Sequence, residues 1–146
     1  MGTLFMSFDK QKAEASKKNL KNADLQNLDL QEADLSEGIL IEACLENCNL
    51  SEADLCEADI SGANLKNARL HRTVLYRCRG KEVNFSNAIL TQANLVEANL
   101  SGANFTHANL MESNIEGANL MNTCFKNANL SEVNLTGVFL ANANLS

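Results

Sequence analysis

The side chains able to do chemistry are few and far apart in this chain. There are two histidines, His71 and His107, and five cysteines, Cys44, Cys48, Cys56, Cys78 and Cys124. An odd cysteine count with no C-x-x-C pair fits neither a disulfide framework nor a zinc site. A nucleophile needs a base within hydrogen-bond reach, and the nearest pairing, Cys56 with His71, has no third group to orient the base. Ser-Gly-Ala-Asn occurs at 61–64 and again at 101–104, but it is a repeated turn and not a phosphate loop. Acids are plentiful, since Asp and Glu total 18 against 12 Lys and Arg for a net charge of −6. On open convex faces such carboxylates have no cleft to shift their pKa values. No catalytic, cofactor-binding or metal site is expected, and the chain does not read as an enzyme.

What positions these residues is a beat of five. Centres fall on every multiple of five from Leu20 to Leu145, and 25 of the 26 are Leu, Ile or Phe, with Gly80 the exception. Two residues before each centre the chain is small, as at Ala23, Ala33, Ala43, Ala53, Ala58, Ala63 and Ala68 and at every such place from Ala88 to Ala108. Five residues advance an α-helix by about 500°, which smears the centres around every side. In an extended strand an odd period alternates them between faces. All centres point inward only if the chain turns once per pentapeptide and coils around its own row of leucines. The small residue shares that interior, where a larger one would overfill it.

Twenty residues make one coil on this reading. Phe85, Phe105 and Phe125 are twenty apart, as are Asn27, Asn47, Asn67 and Asn87, and Glu32, Glu52, Glu112 and Glu132 share a column as well. Four sides per coil give about six and a half coils. On the map His71 and His107 lie on different sides and cannot jointly hold a metal. The units Ala23-Asp24-Leu25, Ala53-Asp54-Leu55 and Ala118-Asn119-Leu120, among many others, carry a motif A-(D/N)-L-x-x. Over residues 18–145 the chain therefore resembles the pentapeptide-repeat family. The resemblance implies an all-β fold, a right-handed, four-sided (quadrilateral) β-helix solenoid with short strands and tight turns.

The chain is expected to form one domain of repeats over 18–146, preceded by a segment, 1–17, outside the beat. Within it, 9–18 predicts a short helix with Asp9 as N-cap. Leu4, Phe5, Met6 and Phe8 either lie over the first coil as a cap or belong to a leader. No stretch is apolar for long enough to span a membrane. Cys48 and Cys78 take the small inward position as core fillers, and Cys44 and Cys124 stand too many coils apart for a disulfide. Reduced thiols point to the cytoplasm.

Charge divides the chain. Eleven acids lie between Lys21 and Ile60, with Asp29, Glu32, Asp34 and Glu37 in one coil and Glu52, Asp54 and Glu57 above them. They form either a solvated face or a surface for a basic partner. Lys66, Arg69, Arg72, Arg77, Arg79 and Lys81 follow as a basic belt. Arg72 and Arg77 are expected one coil above Glu52 and Glu57, paired with them. Gly80 predicts a void or a bulge, with a non-standard turn at Tyr76–Lys81. After residue 83, Asn replaces Asp before most centres, where its side chain can bond nearby backbone or stacked neighbours. The last coil would leave Leu140 and Leu145 under an uncovered edge, with Met121 and Phe139 adding apolar surface. That predicts either a homodimer through the C-terminal coils or a partly exposed monomer.

The function expected is a non-catalytic binding or scaffold module that presents charged faces to a protein partner not specified by the sequence. The resemblance adds an alternative, because some members of the family mimic duplex DNA, bind DNA gyrase and confer fluoroquinolone resistance. Against it stand a short rod, the basic belt, no loop between coils and no dimerisation helix after the repeats. Direct nucleic-acid binding is not expected, since Tyr76 is the one aromatic in the basic cluster.

Overall fold

The computed structural model describes residues 8–146. Leu4, Phe5 and Met6, named above as a cap or leader, lie outside the described residues. The beat of five becomes a solenoid whose parallel bridges join each residue to the one twenty further on, from Asp24↔Cys44 to Cys124↔Asn144. Four bridge columns run up the rod, one per side, beginning at Asp24, Asp29, Asp34 and Ile39. The short strands expected are shorter still, because pairing is confined to single bridge residues.

Each side ends in one tight turn. The small residue's N–H donates to the carbonyl of the centre three before it, as from Ala23 to Leu20 at 3.0 Å. The residue two after the centre is left-handed, at φ 52° to 61° in 21 non-glycine cases from Asn22 to Asn142. Positive φ at that place is the mark of a type II turn. The residue before the centre completes the corner. When it is Asp or Asn, its Oδ1 accepts the N–H two residues on, as from Cys56 to Asp54 at 2.8 Å and from Val96 to Asn94 at 3.1 Å. This is the local backbone bonding expected of Asn and Asp. Stacking between these side chains is sparser, with Asn84 to Asn64 and Asn134 to Asn114 each at 3.3 Å. In the left-handed column Asn47 donates to Asn27, and Asn67 to Asn47, at 3.2 Å each.

Coils are tied by the main chain. The centre and the left-handed residue donate upward, Leu25 to Cys44 at 2.8 Å and Asn27 to Glu46 at 3.0 Å, and the bridge residue donates downward, Cys44 to Ala23 at 2.9 Å. The centres from Leu20 to Phe125 lie inside, with Cys48, Cys78 and the small residues beside them. In the small slot the Cys48 thiol turns to the Leu25 carbonyl at 2.8 Å and the Thr73 hydroxyl to that of Leu50 at 2.7 Å. The phenylalanines stack as the twenty-residue map requires, with centroids 5.0 Å apart for Phe85 and Phe105 and 4.9 Å for Phe105 and Phe125.

Two expectations are corrected. Gly80 makes neither void nor bulge: Arg79 bridges Asp59 and Asn99 in register, and Gly80 donates to Asn99 at 2.8 Å. A Cβ there would stand 2.7 Å from Leu100 Cδ2 and 3.2 Å from Ile60 Cγ1, so the neighbouring centres have closed over the gap. The helix is also shorter than 9–18. Helix α1 spans Lys10–Ala15, with the Asp9 side chain accepting from Lys12 N, and a 3-10 turn covers Lys17–Asn19. Ala13 is buried against the first coil, the Glu14 carboxylate accepts from Asp34 N at 2.9 Å, and Lys17 O accepts from Ile39 N at 2.7 Å. The segment supplies acceptors to edge amides that have no coil beneath them.

Phe105 touches a ring on either side, so Phe105→Ala should cost about 3–5 kcal/mol. Denaturant unfolding of the variant against the parent measures this.

Candidate binding surfaces

One side of the rod gathers the acids. Asp34 and Asp54 are bridged in the middle of this side, Glu32 and Glu52 occupy the corner before them, and Glu37 and Glu57 the corner after. Six carboxylates thus share two adjacent coils. Asp29 lies on the preceding side, where its Oδ1 accepts from Asn49 at 3.1 Å.

The acidic side is partly occupied by the chain itself. Lys17 Nζ reaches Asp34 Oδ1 at 2.8 Å and Ser36 Oγ at 3.2 Å, and Lys18 Nζ reaches the Glu37 carbonyl at 2.7 Å. The bond from Lys17, followed by the hydroxyl and amide of Ser36, lowers the Asp34 carboxyl from 3.8 to about 2. Lys18 Nζ also pairs with the Glu37 carboxylate at 3.2 Å, whereas Glu32, Glu52, Asp54 and Glu57 make no ion pair among the described residues.

The basic belt does not form a patch. It takes up most of one 20-residue coil, so its charges point to different sides. Arg69 stands in the column of Asp29, and Arg79 in that of Ile39 on the opposite side. Arg72 and Arg77 occupy the two corners above the acids, but they do not pair downward as expected. Arg72 Nε donates to Gln92 Oε1 at 2.9 Å, which passes the chain on to Glu112 at 2.7 Å, and Arg77 pairs with Glu97 while lying over the Tyr76 ring. Arg79 alone pairs downward, to Asp59 at 3.2 Å. The turn at 76–81 is regular, but it lacks one bond. Arg69, Val74 and Arg79 hold the place of the accepting Asp or Asn, so the amides of His71, Tyr76 and Lys81 receive no such partner. Sequence reasoning misread this stretch as distorted, although only its turn acceptors had changed.

No group of three or more His, Cys, Asp or Glu side chains that could hold a metal ion is assembled among the described residues. His71 Nδ1 lies 2.8 Å from Thr91 Oγ1, and not on Cys56. All five cysteines are free. Burial pushes the Cys48 thiol to about 11 and the Cys78 thiol to about 12, and raises Cys56 as well. Cys124 is lowered, chiefly by the Thr106 hydroxyl and then by the Lys126 amide. A shallow groove of about 230 Å³ follows the corner of Glu42, Gly62 and Lys81, where Gly62 has no side chain to fill it. No helix among the described residues is long and apolar enough to cross a membrane.

The last coil exposes apolar groups. Phe139 is 60% exposed, Leu145 58% and Leu135 50%, with Met121 also outward, whereas Leu140 is half-buried. An apolar hollow of about 40 Å³ opens among Phe125, Leu130, Leu135, Leu140 and Leu145.

A family model for pentapeptide repeats matches the chain in eight copies, over residues 11–40, 19–51, 40–72, 81–117 and 123–146. No curated protein sequence matches it. Among solved structures the chain is similar to the pentapeptide repeat protein Rfr23 from the cyanobacterium Cyanothece 51142, at 34% identity and a TM-score of 0.45. That match covers 75% of this chain and 65% of Rfr23, so the chain spans less than two thirds of that relative. It is similar also to HetL, a pentapeptide repeat protein involved in heterocyst differentiation regulation from the cyanobacterium Nostoc sp. strain PCC 7120, at 33% identity, a TM-score of 0.42, and 86% and 67% coverage. QnrB1, a plasmid-mediated fluoroquinolone resistance protein, matches at 17% identity and a TM-score of 0.44, over 89% of this chain and 86% of its own.

Asp34 gives a pH signature. Its folded pKa is depressed from 3.8 to about 2, so the folded state binds fewer protons and this group's stabilisation is lost as pH falls through that window. Lys17→Ala should move the Asp34 midpoint back toward the ordinary carboxylate range and flatten the stability profile between those pH values. Side-chain carboxyl NMR titration of both proteins reads the shift directly.

Proposed function

Because the chain belongs to the pentapeptide-repeat family, whose members fold as right-handed quadrilateral β-helices and are generally non-enzymatic scaffolds, we propose that it is a cytoplasmic, non-catalytic binding module. Its acidic side docks a basic segment of a protein partner. The observation that carries this reading is the grouping of Glu32, Asp34, Glu37, Glu52, Asp54 and Glu57 on one side of two adjacent coils. Parallel backbones hold the two rows about 4.8 Å apart, a fixed lattice of negative charge that loses little entropy on binding. The lysines at 17 and 18 already reach Asp34 and Glu37, which supports ammonium and guanidinium groups as the chemistry recognised there.

A DNA-mimicking, gyrase-binding role is the alternative that the acidic half brings forward. Arg72 and Arg77 interrupt both acidic corner columns, which favours the docking of a short basic segment over a long DNA-like track. Two copies of the chain are further proposed to pair through the C-terminal coils, on the strength of the exposed Phe139 and Leu145 and their neighbours Met121 and Leu140.

Binding of a fluorescent arginine- and lysine-rich peptide by the full chain tests the acidic side. Affinity should fall with salt, and Glu52→Lys with Glu57→Lys should lower it about tenfold or more, while Glu132→Lys leaves it unchanged. A peptide that ignores the first pair of changes ends the proposal. A supercoiling assay without inhibition is expected; inhibition sensitive to the same two changes would establish the gyrase role instead. Sedimentation equilibrium should show dimers at high micromolar concentration, and a monomer there removes the pairing.

A further inference from the structure

The molecule carries a basic segment of its own. Five of its eight lysines, Lys10, Lys12, Lys17, Lys18 and Lys21, fall within twelve consecutive residues that hold one acid, Glu14. This segment lies against the first coil through contacts that do not use the lysine side chains. Ala13 is buried, the Glu14 carboxylate accepts from Asp34 N at 2.9 Å, and the Lys17 carbonyl accepts from Ile39 N at 2.7 Å. Those ties hold the main chain whichever way the lysine side chains point.

Two of the side chains point at the acids. Lys17 Nζ meets Asp34 Oδ1 at 2.8 Å and Ser36 Oγ at 3.2 Å, and Lys18 Nζ meets the Glu37 carbonyl at 2.7 Å and its carboxylate at 3.2 Å. Asp34 and Glu37 form the first row of the acidic side together with Glu32. The second row, Glu52, Asp54 and Glu57, makes no ion pair among the described residues. The two lysines are held unequally, since the Lys17 side chain is 23% exposed and that of Lys18 61%. Exposed ion pairs are weak, each shifting an equilibrium by about fivefold at most, so a partner can displace them.

We infer that Lys17 and Lys18 are a built-in competitor for the acidic side, covering its first row until a partner of denser positive charge drives them off. The inference rests on the reading that this side docks a basic segment. A tethered lysine competes at a high effective concentration, because its return to the carboxylate is intramolecular. A partner that meets the second row alone finds half of the lattice. One that spans both rows must first free Asp34 and Glu37.

The same arginine- and lysine-rich peptide, titrated into the full chain carrying Lys17→Ala with Lys18→Ala, tests this. Affinity should rise about three- to tenfold over the parent. Lys17→Ala alone should supply most of the gain, because Lys17 is the less exposed of the two. Lys66→Ala with Lys126→Ala removes equal charge from the side bridged through Asn64 and Cys124, opposite the acids. Screening across the rod should leave the affinity of that variant within about twofold of the parent. The thermal midpoint of each variant checks that the fold is kept. Unchanged affinity in the Lys17 and Lys18 variant overturns the inference and leaves the docking reading standing. An equal gain in the opposite-side variant also overturns it, since net charge then accounts for the rise. A peptide that binds neither the parent nor either variant ends the docking reading, and the inference with it.

Discussion

A left-handed residue at every corner is the constraint on which the rest of the rod depends. Only with φ near +60° two places after the centre does the chain turn once per side and return to register after 20 residues. Left-handed backbone is unfavourable for most L-residues, yet here it is held mainly by Asn, Glu, Gln and Arg. The cost is offset by cooperation. The same residue donates its amide to the coil above, and the Asp or Asn before the centre accepts the amide that the turn would otherwise strand. Glycine would ease the corner, but it would remove the side chains that form the charged and asparagine columns along the rod edges.

The architecture was legible in the sequence because its period suits neither helix nor strand. The phenylalanine triple fixed the coil length, and Ala13 and Asp9 sit where a short helix over the first coil puts them. The left-handed place itself was less visible. The Asn before the centre was read as bonding nearby backbone, which it does from an extended bridge position, but the positive φ lies three residues later. Gly80 was misread for a different reason. A missing side chain in a row of leucines suggests a hole, but leucine and isoleucine at 100 and 60 reach into it, which no single-coil map conveys.

The surfaces were legible only in part. The twenty-residue map put the acids together because identical columns bring them together. It could not choose the direction in which Arg72 and Arg77 pair, since both neighbours in each column can accept. It also could not show that Lys17 and Lys18 fold back onto the acidic side, because they lie in the 3-10 turn that precedes the first centre. A charge run reads as a patch in sequence, but wound on a square rod it becomes a ring. The belt at 66–82 therefore adds electrostatic stitching to several sides and gives none of them a basic face.

The ladder between coils has a polarity. In each pentapeptide two amides donate toward the C-terminal end of the rod and one donates toward the N-terminal end. One amide per repeat is therefore uncompensated, and these add along the axis in the way peptide dipoles add along a helix, but with the opposite sense. Positive potential accumulates at the C-terminal end of the solenoid and negative potential at its first coil. Lys17 and Lys18 are placed at the end where a cation gains from that field, and anionic groups would gain at the other, so the backbone alone gives this rod a head and a tail.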